Sequence, residues 1–420
     1  MSGEAGGCPV GTVRGPDLTD PATYRDADYF AQWRRARRDH PVVRLESPRF
    51  GAFWSVTAHA AARQVLERPE SFTSTRGMRL GGEPAAVSAA SGRMLVVSDG
   101  PAHTRLRSAH APWFAGQAVS RLKDALRSRL DALLADLADG SPVDVPARLA
   151  RPLPTWLVCG MLGVPEEDWE ELALLAAAAF DETETSTASA RRAASAGVFA
   201  YFAELLEKRR ADPGDDLVSA LVHQPGGDRL TDEEILLTCD GLVNGGLGTT
   251  RHAVSGAVLA FAAHPRQWER LRADRGLVPT AVEEILRWVS PPLHIMRTAT
   301  EDVLLGGARI RAGERVVLWI PSCNRDESVF AEPDAFRVDR RPNPHLGLGG
   351  GPHYCIGASL ARLELRTLLR ALLDHVARFE SDPVLARTPS TFLHGLDRLE
   401  VTLIPAADAA ACSPAESEDP

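Results

Sequence analysis

One run, "TDEEILLTCDGLVNGGLGTTRHAVSGAVLAFAAHP" from position 231, limits the architecture more than any other part of the chain. It opens with Thr231 and Glu234 at capping-box spacing and stops before Pro265, which makes a helix of roughly 30 residues, about 45 Å long. Because it is apolar around most of its circumference, it has to cross the middle of a protein rather than lie on its surface. A chain of 420 residues with 44% apolar content can supply the surrounding core. At its centre stands "NGGLGTTRHA", with Asn244, the glycines Gly245, Gly246 and Gly248, and Thr249. Each glycine costs roughly 1 kcal/mol relative to alanine, so a local distortion serving function is expected there.

The rest of the chain reads as mainly α with a smaller β region. Helical periodicity covers 27–39, 58–67, 101–138, 147–161, 166–180 and 188–211. A second capping box, Thr280 to Glu283, is expected to open a helix that ends at Pro291. A hairpin is expected over 42–57. Strands follow in 297–320, with turns at Gly306-Gly307 and Ala312-Gly313. Segment 73–97 is rich in Gly, Ala and Ser and reads as a long loop with short helical pieces, of the kind that forms lids. No linker divides the chain, so 21–405 is expected to be one domain between a flexible segment, 1–20, and a disordered tail, 406–420.

Several function classes drop out. A net charge of −9, spread along the sequence, argues against nucleic acid or an anionic membrane as partner. The start lacks a signal-peptide pattern, and no apolar run approaches the ~20 residues that span a bilayer, so a cytoplasmic location is expected. The six cysteines are far apart and contain no CxxC pair, which argues against a disulfide framework or a structural zinc site. Cys8 and Cys412 fall in the expected tails, and Cys159, Cys239 and Cys323 read as small core residues.

Cys355 differs. Leu360, Leu363, Leu368, Leu372 and Val376 follow it at helical spacing, so a helix begins beside the sulfur. A helix amino terminus favours a thiolate. Gly349, Gly350 and Gly351 before it, and Gly357 after it, let a flat object approach the backbone closely. A thiolate ringed by backbone donors suits a metal whose potential must be tuned.

"LGGGPHYCIG", Leu348 to Gly357, resembles the haem-binding signature of the cytochrome P-450 family, Phe-Gly-x-Gly-x-His-x-Cys-x-Gly, with Leu348 where the family usually has Phe. The resemblance implies that Cys355 is the axial ligand of the iron of haem b and His353 a propionate contact. It extends, in order, from about residue 20 to 405. "DGPAHTRLR" is similar to the segment supplying His103 and Arg107 to a propionate, and Arg297 matches another propionate-binding arginine. Glu284 and Arg287 match the family's Glu-x-x-Arg pair, a buried structural element that Arg340 would join.

The same resemblance puts the long helix over the distal face of the haem. Gly245 and Gly246 fit a small-residue pair that makes room for dioxygen and substrate, and Thr249 fits the threonine of an acid–alcohol pair. The acid is replaced by Gly248. Proton delivery then falls to Thr249 with ordered water, aided by Asn244, or to the substrate, or the reaction is one less sensitive to protons. The expected activity is monooxygenation: hydroxylation of a small hydrophobic, secondary-metabolite substrate with dioxygen and two electrons. Oxidative C–C, C–N or C–O coupling is the alternative within the fold, and a haem-binding sensor or carrier the alternative outside enzymes. Electrons from NAD(P)H are expected through a ferredoxin and its reductase, docking on a basic row of Arg362, Arg366 and Arg370. By family analogy the substrate pocket includes Met78, Met94, Phe180, Leu293, Ile295, Phe392 and Leu393.

Overall fold

The computed structural model describes residues 17–25, 29–179, 186–226, 229–380 and 384–406. The first sixteen residues, the tail from 407, Cys8, Cys412 and Phe180 lie outside the described residues. Residues 17–20, expected to be flexible, are packed: Leu18 and Thr19 are buried, and Tyr24 Oη donates to the Leu18 carbonyl at 2.8 Å.

The long helix spans Asp232–Ala263, 32 residues. Its capping box forms as the sequence predicts: Thr231 Oγ1 accepts from Glu234 N at 3.3 Å, and Glu234 Oε2 accepts from Thr231 N at 2.9 Å. The expected distortion is absent, because the helix runs unbroken through the glycines. Tertiary contact outweighs their poor propensity. A Cβ at Gly246 would stand 2.8 Å from Val158 Cγ2, and one at Gly256 2.6 Å from Val289. These two glycines let the helices Pro152–Leu162 and Val278–Val289 press against the central one.

Two other expectations change. The run 101–138 is two helices, Gly100–His110 and Gly116–Leu137, parted by a tight turn at Ala111–Phe114 around Pro112. Proline has no N–H to continue the ladder. The second capping box does not form. Pro279 occupies the first turn of a helix that begins upstream, at Val278. Thr280 Oγ1 instead donates to the Leu277 carbonyl at 2.9 Å.

The β region is small. Its larger sheet orders the strands Val42–Ser47, Gly51–Val56, Arg315–Trp319, His294–Ala299 and Phe72–Thr73, antiparallel except for the parallel Gly51–Val56/Arg315–Trp319 pair. The expected hairpin and the turn at Gly306-Gly307, between Val303–Leu305 and Ala308–Ile310, are both present. A second sheet joins Leu385–Arg387, Leu396–Pro405, Pro142–Asp144 and Val376–Glu380. One large apolar cluster unites the central helix with its neighbours and with the helix Ala358–His375. Segment 73–97 holds a short helix, Pro84–Ala90, and a turn, Leu95–Val97.

Candidate functional site

Cys355 lies two residues before Gly357, the N-cap of the helix Ala358–His375. Its N–H donates to the Leu348 carbonyl at 2.9 Å, and its carbonyl accepts from Ala358 N at 3.2 Å, which fixes the loop on both sides of the sulfur. Burial pushes the thiol above its ordinary value; the Gly357 N–H, then the charges of Arg107 and Arg362, pull the other way. Leu348 is buried in the main core with Ala358 and Leu360. Gly349 and Gly351 adopt φ of +73° and +61°, a region that disfavours side chains. A Cβ on Gly351 would stand 2.1 Å from the Leu66 carbonyl, so this loop is pressed onto the helix His59–Glu67.

Four nitrogen-bearing side chains gather beside this loop. The His103 and His353 rings are 4.3 Å apart. His353 Nε2 pairs with Asp99 Oδ1 at 2.8 Å. Burial works against ionisation of Asp99, but hydrogen bonds from His353, Thr73 and Ser74 hold it well below the usual carboxylate range. Asp99 was not singled out from the sequence. Standing just before Gly100-Pro101, it has the look of a helix cap, yet it makes no side-chain cap bond and turns to His353 instead. His103 Nε2 is buried without a partner among the described residues, and burial followed by the charge of His353 lowers its pKa to about 4. Arg107 flanks the same surface as His103 and Gly351. Arg297 is 5% exposed, and its guanidinium makes one hydrogen bond among the described residues, Nη1 to the Met296 carbonyl at 2.8 Å. Burial lowers its pKa to about 10, against the pull of Asp99. A buried charge with so few partners is costly unless an anion joins it.

On the central helix, Thr249 Oγ1 donates back to the Gly245 carbonyl at 2.6 Å. A Cβ at Gly245 would meet nothing within 4 Å, and one at Gly248 would lie 3.6 Å from Leu393 Cδ1. Gly246, expected beside Gly245 over the haem, faces Val158 instead, so the small-residue pair divides between an open face and a packed one. Asn244 Nδ2 donates to Asp240 Oδ1 at 2.7 Å, while Asn244 Oδ1 is buried without a partner among the described residues. Burial lifts the Asp240 carboxyl to about 6, although the Asn244 hydrogen bond opposes this.

Glu284 and Arg287 are fully buried, with Arg287 Nε and Nη2 donating to the carboxylate at 2.7 and 2.8 Å. Arg340 Nε reaches the same carboxylate at 3.0 Å, and the Arg337 N–H donates to it at 2.9 Å. The two guanidinium groups donate onward to the carbonyls of Asn324, Pro333, Ala335 and Glu332. The trio therefore ties down the segment leading to the Cys355 loop.

The basic row is corrected at its first member. Arg362 is bound by Glu283, Nε and Nη2 at 2.7 and 2.9 Å, which leaves Arg370 exposed and Arg366 half-buried. Among the expected pocket residues, Phe392 and Leu393 line a cavity of about 340 Å³ beside the central helix. Met78 and Met94 pack with Ala90, Val97 and Leu237. Ile295 comes within 3.9 Å of where a Cβ of Gly349 would be. Leu293 is buried among Tyr29, Trp33 and Trp319, so it is core rather than pocket. The cavity's polar residues, Arg151, Arg251 and Asp397 among them, escaped the sequence reading. Arg251 had a signal, since it shares a helix face with Asn244 and Gly248.

The family model for Cytochrome P450 matches residues 159–395. A methyl-branched lipid omega-hydroxylase of Mycobacterium tuberculosis is 38% identical over 389 residues, 87% of this chain and 89% of that protein. Linalool 8-monooxygenase of Pseudomonas putida is 34% identical over 402 residues, 93% of this chain and 99% of that protein. Among solved structures, P450 OxyD, involved in the biosynthesis of vancomycin-type antibiotics, superposes with a TM-score of 0.85 at 36% identity, covering 93% of this chain and 100% of that one.

Proposed function

The chain belongs to the cytochrome P450 family of oxygen-incorporating oxidoreductases, and we propose that it is a haem-thiolate hydroxylase of a small, largely apolar secondary metabolite. The observation that carries this reading is the set of unspent buried donors beside Cys355. Among the described residues, the buried Arg297 guanidinium makes a single hydrogen bond and His103 Nε2 makes none, a deficit that the two carboxylates of a haem would repair. The residues present therefore fit the group. Cys355 would hold the iron, replacing the thiol proton that burial now retains. Arg297, His103 and Arg107 would hold the propionates, and His353 would be steadied by Asp99. When bound, the haem supplies dioxygen activation at a thiolate-ligated iron.

The protein's part is to bind, orient and supply protons. Thr249 commits its hydroxyl proton to the Gly245 carbonyl, leaving its oxygen lone pairs to accept from a water. Asn244 Oδ1 is a second buried acceptor. Asp240, its carboxyl lifted to about 6, exchanges a proton near neutrality and pairs with Asn244. This row stands in for the carboxylate that Gly248 lacks. Electrons come from NAD(P)H through a ferredoxin and its reductase, with Arg366 and Arg370 on the docking face. Among the described residues, no helix is long and apolar enough to cross a membrane.

Gly248 favours one second reading, oxidative coupling or ring closure. Product mass separates the two: a gain of one oxygen against a loss of two hydrogens. A Cβ at Gly248 makes only ordinary contact, so the backbone accepts Gly248→Glu. If protons limit hydroxylation, this variant raises product formed per NADH toward one, and the rate by up to the ~10²–10⁴-fold that a positioned acid contributes. An unchanged ratio and rate would remove the glycine from the account.

Arg297→Leu tests the propionate role without relying on activity. Haem transfer to a scavenging apoglobin should become easier by about 2–5 kcal/mol, the cost of truncating one side of a buried charge pair. The haem-free protein should melt no lower than wild type, because among the described residues Arg297 makes no contact ion pair and feels only the more distant charge of Asp99. Equal haem retention would contradict the assignment.

A further inference from the structure

The 340 Å³ cavity lies between the central helix, the helix Trp169–Ala179 and the turn joining Leu385–Arg387 to Leu396–Pro405. Most of its wall is apolar, with Ala173, Leu174, Val243, Leu247 and Leu393 on three sides. Two guanidinium groups interrupt that wall. Arg251, on the central helix, has a side chain 21% exposed. Its Nε is buried without a partner among the described residues. Among the described residues, its Nη2 meets only His252 Nε2 at 3.4 Å and Asp397 Oδ1 at 3.6 Å. That carboxylate oxygen already accepts from Thr388 Oγ1 at 2.8 Å. Arg151 enters from the other side, close enough for the two positive charges to oppose one another. No ion pair engages Arg151 among the described residues. Among the described residues that line it, two arginines against one distracted aspartate leave a net positive charge.

A guanidinium is a planar fork of donors, and a carboxylate is the group that fills such a fork with two parallel hydrogen bonds. We infer that this cavity selects the substrate. It takes a small, otherwise apolar carboxylic acid whose carboxylate pairs with Arg251, backed by Arg151. The assignment rests on the monooxygenase reading only for the orientation of the bound acid. Gly248 lines the cavity, one turn from Arg251. Gly245, with open space beside it, is about 9 Å farther along the helix axis than Arg251, at 1.5 Å per residue. The carbon that is oxidised is then remote from the carboxyl group, not adjacent to it.

The test is isothermal titration calorimetry of the holoprotein with octanoate and 4-phenylbutyrate, each against its primary amide, and with octyl phosphate. The expected result is at least one acid binding tenfold or more tighter than its amide. Arg251→Gln should erase that preference, Arg251→Lys should keep part of it, and Arg151→Gln should weaken it. Because Arg251 has no hydrogen-bonded carboxylate to lose, Arg251→Gln should melt with wild type; if it does not fold, the Arg151→Gln result decides. The proposal is overturned by equal binding of acids and amides, by no binding of either acid, by a preference that survives both glutamine variants, or by binding of octyl phosphate alone. The carbon-monoxide spectrum, recorded on the same samples, judges the haem separately. Acid preference in a protein without a sulfur-ligated band would refute the haem reading and leave the carboxylate site standing.

Discussion

Cys355→Ser protein, reduced and treated with carbon monoxide, is expected to lose the red-shifted Soret band of a sulfur-ligated haem. Turnover should fall by at least about a thousandfold, a barrier increase of about 4 kcal/mol or more. Serine changes one atom at nearly constant volume, and the Leu348 and Ala358 backbone bonds that hold the loop do not involve the side chain. The fold should therefore survive, and the deficit be chemical. A hydroxyl in that place is a harder and far weaker acid than a thiol, so it neither ionises under the Gly357 N–H nor donates charge to the metal as sulfur does. Three internal controls exist. Cys159, Cys239 and Cys323 are buried, and burial alone pushes the Cys159 thiol up to about 12. Their serine variants should lose some stability and keep the band. A Cys355→Ser protein that retained it would end the haem-thiolate account.

The second large effect is on stability. Glu284→Gln removes the negative charge that Arg287 and Arg340 share in a site closed to water. Breaking one partner of such a buried arrangement costs about 3–5 kcal/mol, because the remaining charges stay buried and uncompensated. Guanidinium chloride unfolding of wild type and variant measures the difference. The loss should be smaller when Arg287 and Arg340 are replaced together with Glu284 by apolar residues of similar volume, since no stranded charge remains. A loss below about 1 kcal/mol would put the trio on a level with an exposed ion pair. Haem loading should fall alongside stability, for the carbonyls that the two arginines hold belong to the segment entering the Cys355 loop.

What could be read from the residues alone was chemistry confined to short spacings. The Thr231 cap, the Cys355 loop and Glu284 with Arg287 each depend on neighbours within one or two turns, so their meaning is present in the local string. Family resemblance then brought distant pieces, such as His103 and Arg297, to one place. What stayed hidden depended on which direction a helix face points and on partners far along the chain. Gly245 and Gly246 are adjacent and chemically identical, yet one faces open space and the other Val158. Arg362 looked like free surface charge because nothing local reveals Glu283 reaching it from another helix. Leu293 looked like pocket because apolarity does not distinguish a wall from a core. Arg151 and Arg251 carried no signal as a pair, since a hundred residues separate two side chains that meet only in the folded protein.

The glycines of the central helix also set how firmly its neighbours hold it. Gly246 and Gly256 are clasped by Val158 and Val289, branched side chains with few rotamers to yield. Gly241 meets the terminal methyl of Met94, where a Cβ would be 3.0 Å away, and a thioether chain bends freely. The helix thus behaves as a beam bolted at two points and cushioned at a third. Segment 73–97 therefore meets the helix through a side chain that can yield, whereas the two valines hold it through side chains that cannot.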